Sequence, residues 1–156
     1  MRILLMSDTH ENFPAALRAV DPSEHFDKLI HLGDGCDDAA VVRDVMDIDL
    51  IQVAGNCDLG SLEPREILWE CADRKILITH GDRYGVKKGL RAIEQRGLQV
   101  EADAVFFGHT HFATIVTMSG ILLVNPGTMI STSQHKTCAI VEITPDGIIA
   151  SLREIN

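Results

Sequence analysis

Ile3-Leu4-Leu5-Met6-Ser7-Asp8-Thr9-His10 carries the reading of the whole chain. Four apolar residues in a row, with no alternation, read as a β-strand buried on both faces. The polar switch at Ser7-Asp8 marks the carboxyl end of that strand. A carboxylate and an imidazole therefore stand where a buried strand comes to an end.

The same punctuation recurs outward from this segment. Asn12-Phe13-Pro14 reads as a helix start, with proline in the first turn and the helix over 15–20. A strand over 28–32 ends at Gly33-Asp34-Gly35. An amphipathic helix covers 37–46, and a strand over 50–54 ends at Gly55-Asn56-Cys57-Asp58. Segments 67–71 and 76–79 flank Ala72-Asp73-Arg74 as a hairpin whose second arm ends at His80-Gly81-Asp82. The spacing predicts a helix over 87–96, with Gly97 as its C-cap. An apolar strand over 104–107 ends at Gly108-His109-Thr110-His111. After this the texture becomes consecutive strands, 114–118 with 121–124 around Ser119-Gly120, and 138–143 with 148–152 around Pro145-Asp146-Gly147. Strand-helix alternation followed by a β-rich third implies a layered α/β domain, two sheets packed together with helices outside. No linker, repeat or low-complexity segment interrupts residues 1–156, which read as one domain.

Composition bounds the function. The chain has 156 residues, 14 basic and 23 acidic, a formal net charge of −9. An apolar share of 46% excludes a disordered chain. The 4% aromatic content argues against a base-stacking platform, and the acidic balance against broad binding to nucleic acid polymers or anionic membrane. A small anionic substrate remains compatible, because a bound cation reverses the local sign. Cys36, Cys57, Cys71 and Cys138 form no CxxC pair and read as reduced thiols. The apolar run near Met1 is shorter than the ~7–15 residues of a signal peptide, and no run approaches the ~20 that cross a bilayer. A cytoplasmic protein is expected.

The polar segments hold the chemistry. Right-handed crossovers make the strands parallel, so their carboxyl ends collect along one edge, where open α/β sheets bind ligands. Carboxylates, an amide and four imidazoles would converge there. This nitrogen and oxygen set suits Mn²⁺, Zn²⁺, Fe or Ni better than Ca²⁺ or Mg²⁺. Seven candidates exceed the four ligands of one zinc and suit two ions ~3.5–4 Å apart with a bridging carboxylate.

Asp8-x-His10, Gly33-Asp34, Gly55-Asn56, His80 and Gly108-His109-x-His111, in this order and at strand ends, resemble the calcineurin-like metallophosphoesterases. The resemblance runs from Asp8 to about Thr128 and is nearest to the small single-domain bacterial and archaeal phosphodiesterase branch. It implies a four-layer αββα sandwich of two mixed sheets flanked by helices. It implies that Asp8, His10 and His111 hold one metal, that Asn56, His80 and His109 hold a second, and that Asp34 bridges them. Mn²⁺ is the first expectation, with Ni²⁺, Zn²⁺ or Fe as alternatives. The implied reaction is hydrolysis of a small phosphate ester, most of all a diester, by hydroxide bridging the two metals, with no covalent enzyme intermediate. A homodimer or homotetramer is common in that branch.

Two residues are read as catalytic beside the ligands. Asp58 would orient a ligand or water from behind. Cys57 stands where many monoester-cleaving relatives carry histidine, and a thiol is a less adaptable proton donor. Better cleavage of activated aryl diesters than of alkyl esters follows. Ala54 replaces an arginine frequent in the branch, and Arg83 is a candidate substitute.

Other residues have plainer readings. His31 reads as structural, and His25 and His135 as surface or loop positions. Asp37, Asp38, Asp44, Asp47 and Asp49 read as a solvated helix face. Gly33, Gly55, Gly81 and Gly108 read as tight-turn residues, and Asn125-Pro126-Gly127-Thr128 either as a chain reversal or as a buttress for a ligand. The rival function is a protein-binding scaffold on the same fold, as in a eukaryotic endosomal coat subunit that resembles this branch and has lost ligands.

Overall fold

Alternate side chains of the first strand, β1 (Arg2–Met6), enter different cores. Ile3 and Leu5 point into an apolar layer with Ile30, Val53, Ile78, Phe106, Val124 and Val141. Leu4 and Met6 point the other way, onto Ala15, Ala16, Ala19 and Val42 of two helices. All four are fully buried, which explains why the run shows no alternation. Each such side chain contributes roughly 1.5–3 kcal/mol relative to exposure.

The computed structural model describes residues 1–155. After β1 come α1 (Phe13–Ala19), β2 (Lys28–His31), α2 (Cys36–Met46), β3 (Leu50–Gln52), β4 (Glu66–Cys71) and β5 (Arg74–Thr79). A 3-10 turn (Asp82–Tyr84), α3 (Arg91–Gln99), β6 (Ala104–Phe106), β7 (Thr114–Met118), β8 (Ile121–Asn125), β9 (Lys136–Thr144) and β10 (Gly147–Ile155) complete the order. One sheet runs β10-β9-β1-β2-β3 and the other β4-β5-β6-β8-β7. β1, β2 and β3 are parallel neighbours, as are β5, β6 and β8. Helices α1 and α2 cover the first sheet, and α3 covers the second through Ile93, Val105 and Leu123. The result is the expected four-layer α/β sandwich of two mixed sheets. The β-rich last third is divided between them, with the β7–β8 hairpin in one sheet and β9–β10 in the other.

Two expectations shift. The third strand stops at Gln52, short of Ala54. The third helix begins at Arg91 and runs through Gly97 to Gln99, so Gly97 is interior and does not cap. A Cβ at Gly97 would stand 2.9 Å from Val105 Cγ2 and 3.1 Å from Ile121 Cδ1. The glycine marks where the helix presses on the sheet, a close approach that sequence spacing does not distinguish from a cap.

Candidate metal centre

The segments after β1, β2, β3, β5 and β6 meet at one edge because these strands point the same way. Backbone bonds lock them together. Asp8 N–H donates to Gly33 O and His10 N–H to Asp34 O, each at 3.0 Å, while Gly108 N–H donates to His80 O at 2.9 Å. Across the sheets, His109 N–H donates to Asp8 Oδ2 at 3.0 Å. The turns are sharp enough that Asp8, His10, Asp34, His109 and His111 all have positive φ, between 46° and 67°. Such backbone costs about 1–3 kcal/mol per residue and concentrates at functional sites.

Two of the four glycines serve contact, not turning. A Cβ at Gly55 would lie 2.1 Å from Asp34 Oδ1, and one at Gly108 would lie 1.9 Å from Ser7 Oγ and 2.9 Å from Asp8 Oδ2. Gly33 and Gly81 do have the positive φ of tight turns, 97° and 101°.

The side chains form two groups that share a carboxylate. In the first, Asp8 Oδ1 lies 3.1 Å from His111 Nε2 and 3.9 Å from His10 Nε2. In the second, His80 Nε2 lies 3.2 Å from both Asn56 Oδ1 and His109 Nδ1. Asp34 Oδ2 stands between them, 3.7 Å from His10 Nε2 and 3.4 Å from His80 Nε2. All seven predicted ligands are thus brought together. Asp8–His10–His111 and Asp34–His80–His109 are each compact enough to hold one ion, as is His10–Asp34–Cys57.

The donor chemistry fits cations. His80 Nδ1 donates to Leu32 O at 2.8 Å, which leaves a lone pair on Nε2 when the ring is neutral. That lone pair faces an amide oxygen, a carboxylate oxygen and another imidazole, so the group calls for positive charge in its midst. Asp8 Oδ1 and His10 Nε2 are buried without a hydrogen-bond partner. Buried acceptors in this state are costly unless a cation meets them.

The titration behaviour agrees. Burial works to raise the pKa of Asp8, but His111, His80 and Ser7 overcome it and hold the carboxyl below its ordinary value. Burial likewise opposes ionisation of Asp34, yet hydrogen bonds from His80 and Cys57 keep it well below the carboxylate range. Burial works to lower the pKa of His80, and Asp34 and Asp8 raise it overall. Burial and the neighbouring His80 lower that of His109. Desolvation and the adjacent Asp34 push the Cys57 thiol up to about 11.

Asp58 faces the backbone. Its Oδ2 accepts from Asp34 N–H and Gly55 N–H, both at 2.7 Å, and its Oδ1 from Gly35 and Cys36 N–H at 2.8 and 3.0 Å. It caps the start of α2 and ties the Asp34 and Asn56 turns together. Cys57 is exposed at the mouth, and its N–H donates to Asp34 Oδ1 at 2.7 Å.

Asn125-Pro126-Gly127-Thr128 does buttress the site. Asn125 Nδ2 donates to Gly108 O at 2.9 Å, and Thr128 Oγ1 donates to Asp8 O at 2.9 Å. His31 is buried and its pKa is pushed down to about 4 by desolvation, as befits a structural histidine. His25 and His135 are exposed, and His135 pairs with Glu154. Asp38 corrects the solvated-face reading, being only 6% exposed.

Sequence reasoning missed Ser7 and Arg65. Ser7 Oγ donates to Asp8 Oδ2 at 2.5 Å. Arg65 donates to Gly55 O and, at 2.6 Å, to Asp82 Oδ2, joining the Asn56 turn to the segment after His80. Arg83 is exposed. Nothing in the local sequence marks Arg65, since both contacts are long-range.

The sequence profile of the calcineurin-like phosphoesterase superfamily domain matches residues 1–146. The chain belongs to that superfamily. A probable metallophosphoesterase of Bacillus subtilis is 30% identical over 98% of this chain and 89% of its own length. A phosphodiesterase of Methanocaldococcus jannaschii is 29% identical over 81% of this chain and 83% of its own. Among solved structures, a predicted phosphoesterase from Streptococcus pneumoniae overlays with a TM-score of 0.77 at 22% identity, covering 98% of this chain and 97% of that one. The Vps29 of Entamoeba histolytica complexed with Zn²⁺ gives 0.77 at 16% identity over 100% of both chains. At these identities the two overlays show the fold alone. A metallophosphoesterase fold implies divalent metal ions, and the clustered ligands above are where this chain could hold them.

Proposed function

We propose that residues 1–156 form one phosphodiesterase domain with a dinuclear metal centre. Asp8, His10 and His111 would hold one ion, Asn56, His80 and His109 the other, and Asp34 both. The observation that carries this is the placement of Asp34 Oδ2 within 3.4–3.7 Å of one imidazole from each group. When bound, two divalent cations, Mn²⁺ in the first instance, supply Lewis acidity toward phosphoryl oxygens and a hydroxide nucleophile at neutral pH.

The protein's own contribution is positioning. Leu32 O fixes the His80 tautomer so that Nε2 presents its lone pair. Asn56 offers an oxygen without adding negative charge, which leaves the site able to accept an anionic ester. Ser7 holds the Asp8 carboxylate, while Thr128 and Asp58 hold the backbone of Asp8 and Asp34, before substrate arrives, so little reorganisation remains. Cys57 keeps its proton at neutral pH and could hydrogen-bond a departing oxygen. A weak acid there favours esters whose leaving group needs little protonation, hence aryl diesters.

Four free thiols support a reducing, cytoplasmic setting, and no helix among the described residues is long and apolar enough to cross a membrane. Exposed Ile149 and Leu152 on the edge strand β10 support a homodimer or homotetramer. The completeness of the ligand set favours the enzyme over a scaffold.

The test reloads metal-free protein with Mn²⁺, Ni²⁺, Zn²⁺ or Mg²⁺ and assays aryl diesters, monoesters and cyclic nucleotides. The expected result is two bound ions per chain and turnover highest on aryl diesters with Mn²⁺. Background rates for every metal and substrate would transfer the assignment to the scaffold.

A further inference from the structure

Beside the metal centre a groove of about 900 Å³ opens between α2 and the 57–63 loop. It begins at His10, Asp34 and Cys57, so an ester bound at the metals would extend one of its alcohols along it. The volume suits one small-molecule arm.

Its lining is one-sided in charge. Glu11, Asp37, Asp38 and Glu63 contribute carboxylates, apart from Asp34 and Asp58, which the metal centre and the backbone occupy. Arg43 is the basic side chain lining it, and its Nε donates to Asp44 Oδ1 at 2.8 Å.

Asp38 is 6% exposed; the Thr9 hydroxyl and the N–H groups of Glu11 and Asn12 face its carboxyl group, but its Oδ2 makes no hydrogen bond. Gln52, on the floor, gives its amide N–H to Glu63 Oε1 at 3.0 Å, while its own buried Oε1 has no partner. A buried carboxylate oxygen left unmatched is unfavourable unless a cation or donor meets it. The groove offers acceptors and negative potential where a ligand would have to supply donors and positive charge. Leu59 and Leu62 on the outer wall, both almost fully exposed, add apolar surface for the carbon chain.

We propose that this groove selects phosphodiesters in which one alcohol carries an ammonium group. Such an ester is a zwitterion: its phosphate meets the metal centre and its cation meets the carboxylates. Polyphosphates and oligonucleotides place a second anion in the groove and are rejected by like charge. The proposal rests on the phosphodiesterase reading above and adds the identity of the alcohol.

The test compares two p-nitrophenyl diesters on the Mn²⁺-loaded protein. One carries a choline arm and the other a 3,3-dimethylbutyl arm, in which carbon replaces the quaternary nitrogen. The expected kcat/KM ratio is tenfold or more for the cationic arm at low salt. It falls with ionic strength, and it falls toward unity in the Asp38→Asn/Glu63→Gln double variant. The ratio is scored, with melting temperature and metal content as checks on folding, so a loss of absolute rate does not obscure the result. Equal kcat/KM for the two arms overturns the groove proposal and leaves the diesterase reading standing. Absence of turnover on any diester overturns the diesterase reading instead. In that event, phosphonates bearing the same two arms score the groove by calorimetry, where equal Kd values would sink it.

Discussion

The candidate ligands divide into an inner row and an outer row, and the two are built differently. Asp8, Asp34 and His80 are 0, 3 and 0% exposed, and each is clamped by the fold. Asp8 is gripped by Ser7, His109 N–H and the Thr128 hydroxyl, Asp34 by Cys57 N–H and Asp58, and His80 by Leu32 O. His10, His109, His111 and Asn56 are less buried, with side-chain exposures of 22% for His10 and 33% for His111. Burial makes the inner row precise and costly, because its charges are withdrawn from water. The outer row is less desolvated, although His10, His109 and His111 share the positive φ of the strand-end turns.

The largest effect that would break this comparison is at the shared carboxylate. Asp34→Asn should lower kcat on an aryl diester about 10³-fold, since several kcal/mol of charge stabilisation depend on both ions. Elemental analysis should show bound metal falling below two per chain. Asn56→Ala, in the outer row, should lose about 10- to 100-fold and recover with excess metal. Equal, unrecoverable losses in both would erase the distinction.

Asp58→Asn tests whether the inner row needs its backing. A charged acceptor of four backbone N–H groups contributes about 1.5–3 kcal/mol. The melting temperature should drop by about 3–12 °C, and activity by about 10- to 100-fold even with saturating metal. An unchanged melting temperature would show that the turns hold themselves.

The smallest effect is expected at the mouth. Cys57→His should raise the alkyl-to-aryl rate ratio about tenfold, through a better-matched proton donor, with little change in aryl rate. A constant ratio would place Cys57 away from the leaving group.

Much of this architecture was legible in the chain because the signals are local. The doubly buried run 3–6 and its polar stop announce a covered parallel strand, and the same pattern at Asp34, Asn56, His80 and His109 places the candidate ligands at strand ends. Less legible were features that depend on a distant neighbour. Gly97 looks like a cap until Val105 and Ile121 lie against it. Asp38 looks like one more acid on a wet helix until the turn holding Thr9, Glu11 and Asn12 lies against it. Gly55 and Gly108 look like turn residues until Asp34 and Ser7 fill the space a Cβ would need. Arg65 carries no mark at all.

The linear order of residues determined which groups could bind metal and that strand ends would present them, because burial on both faces and crossover handedness are rules of short range. The tertiary structure alone decided which atoms face each other across the two sheets: Asp34 between two imidazoles, His80 turned by Leu32, the groove acidic on both walls. Those relations span up to about fifty residues of chain, and only the packing of distant segments against one another brings their atoms together.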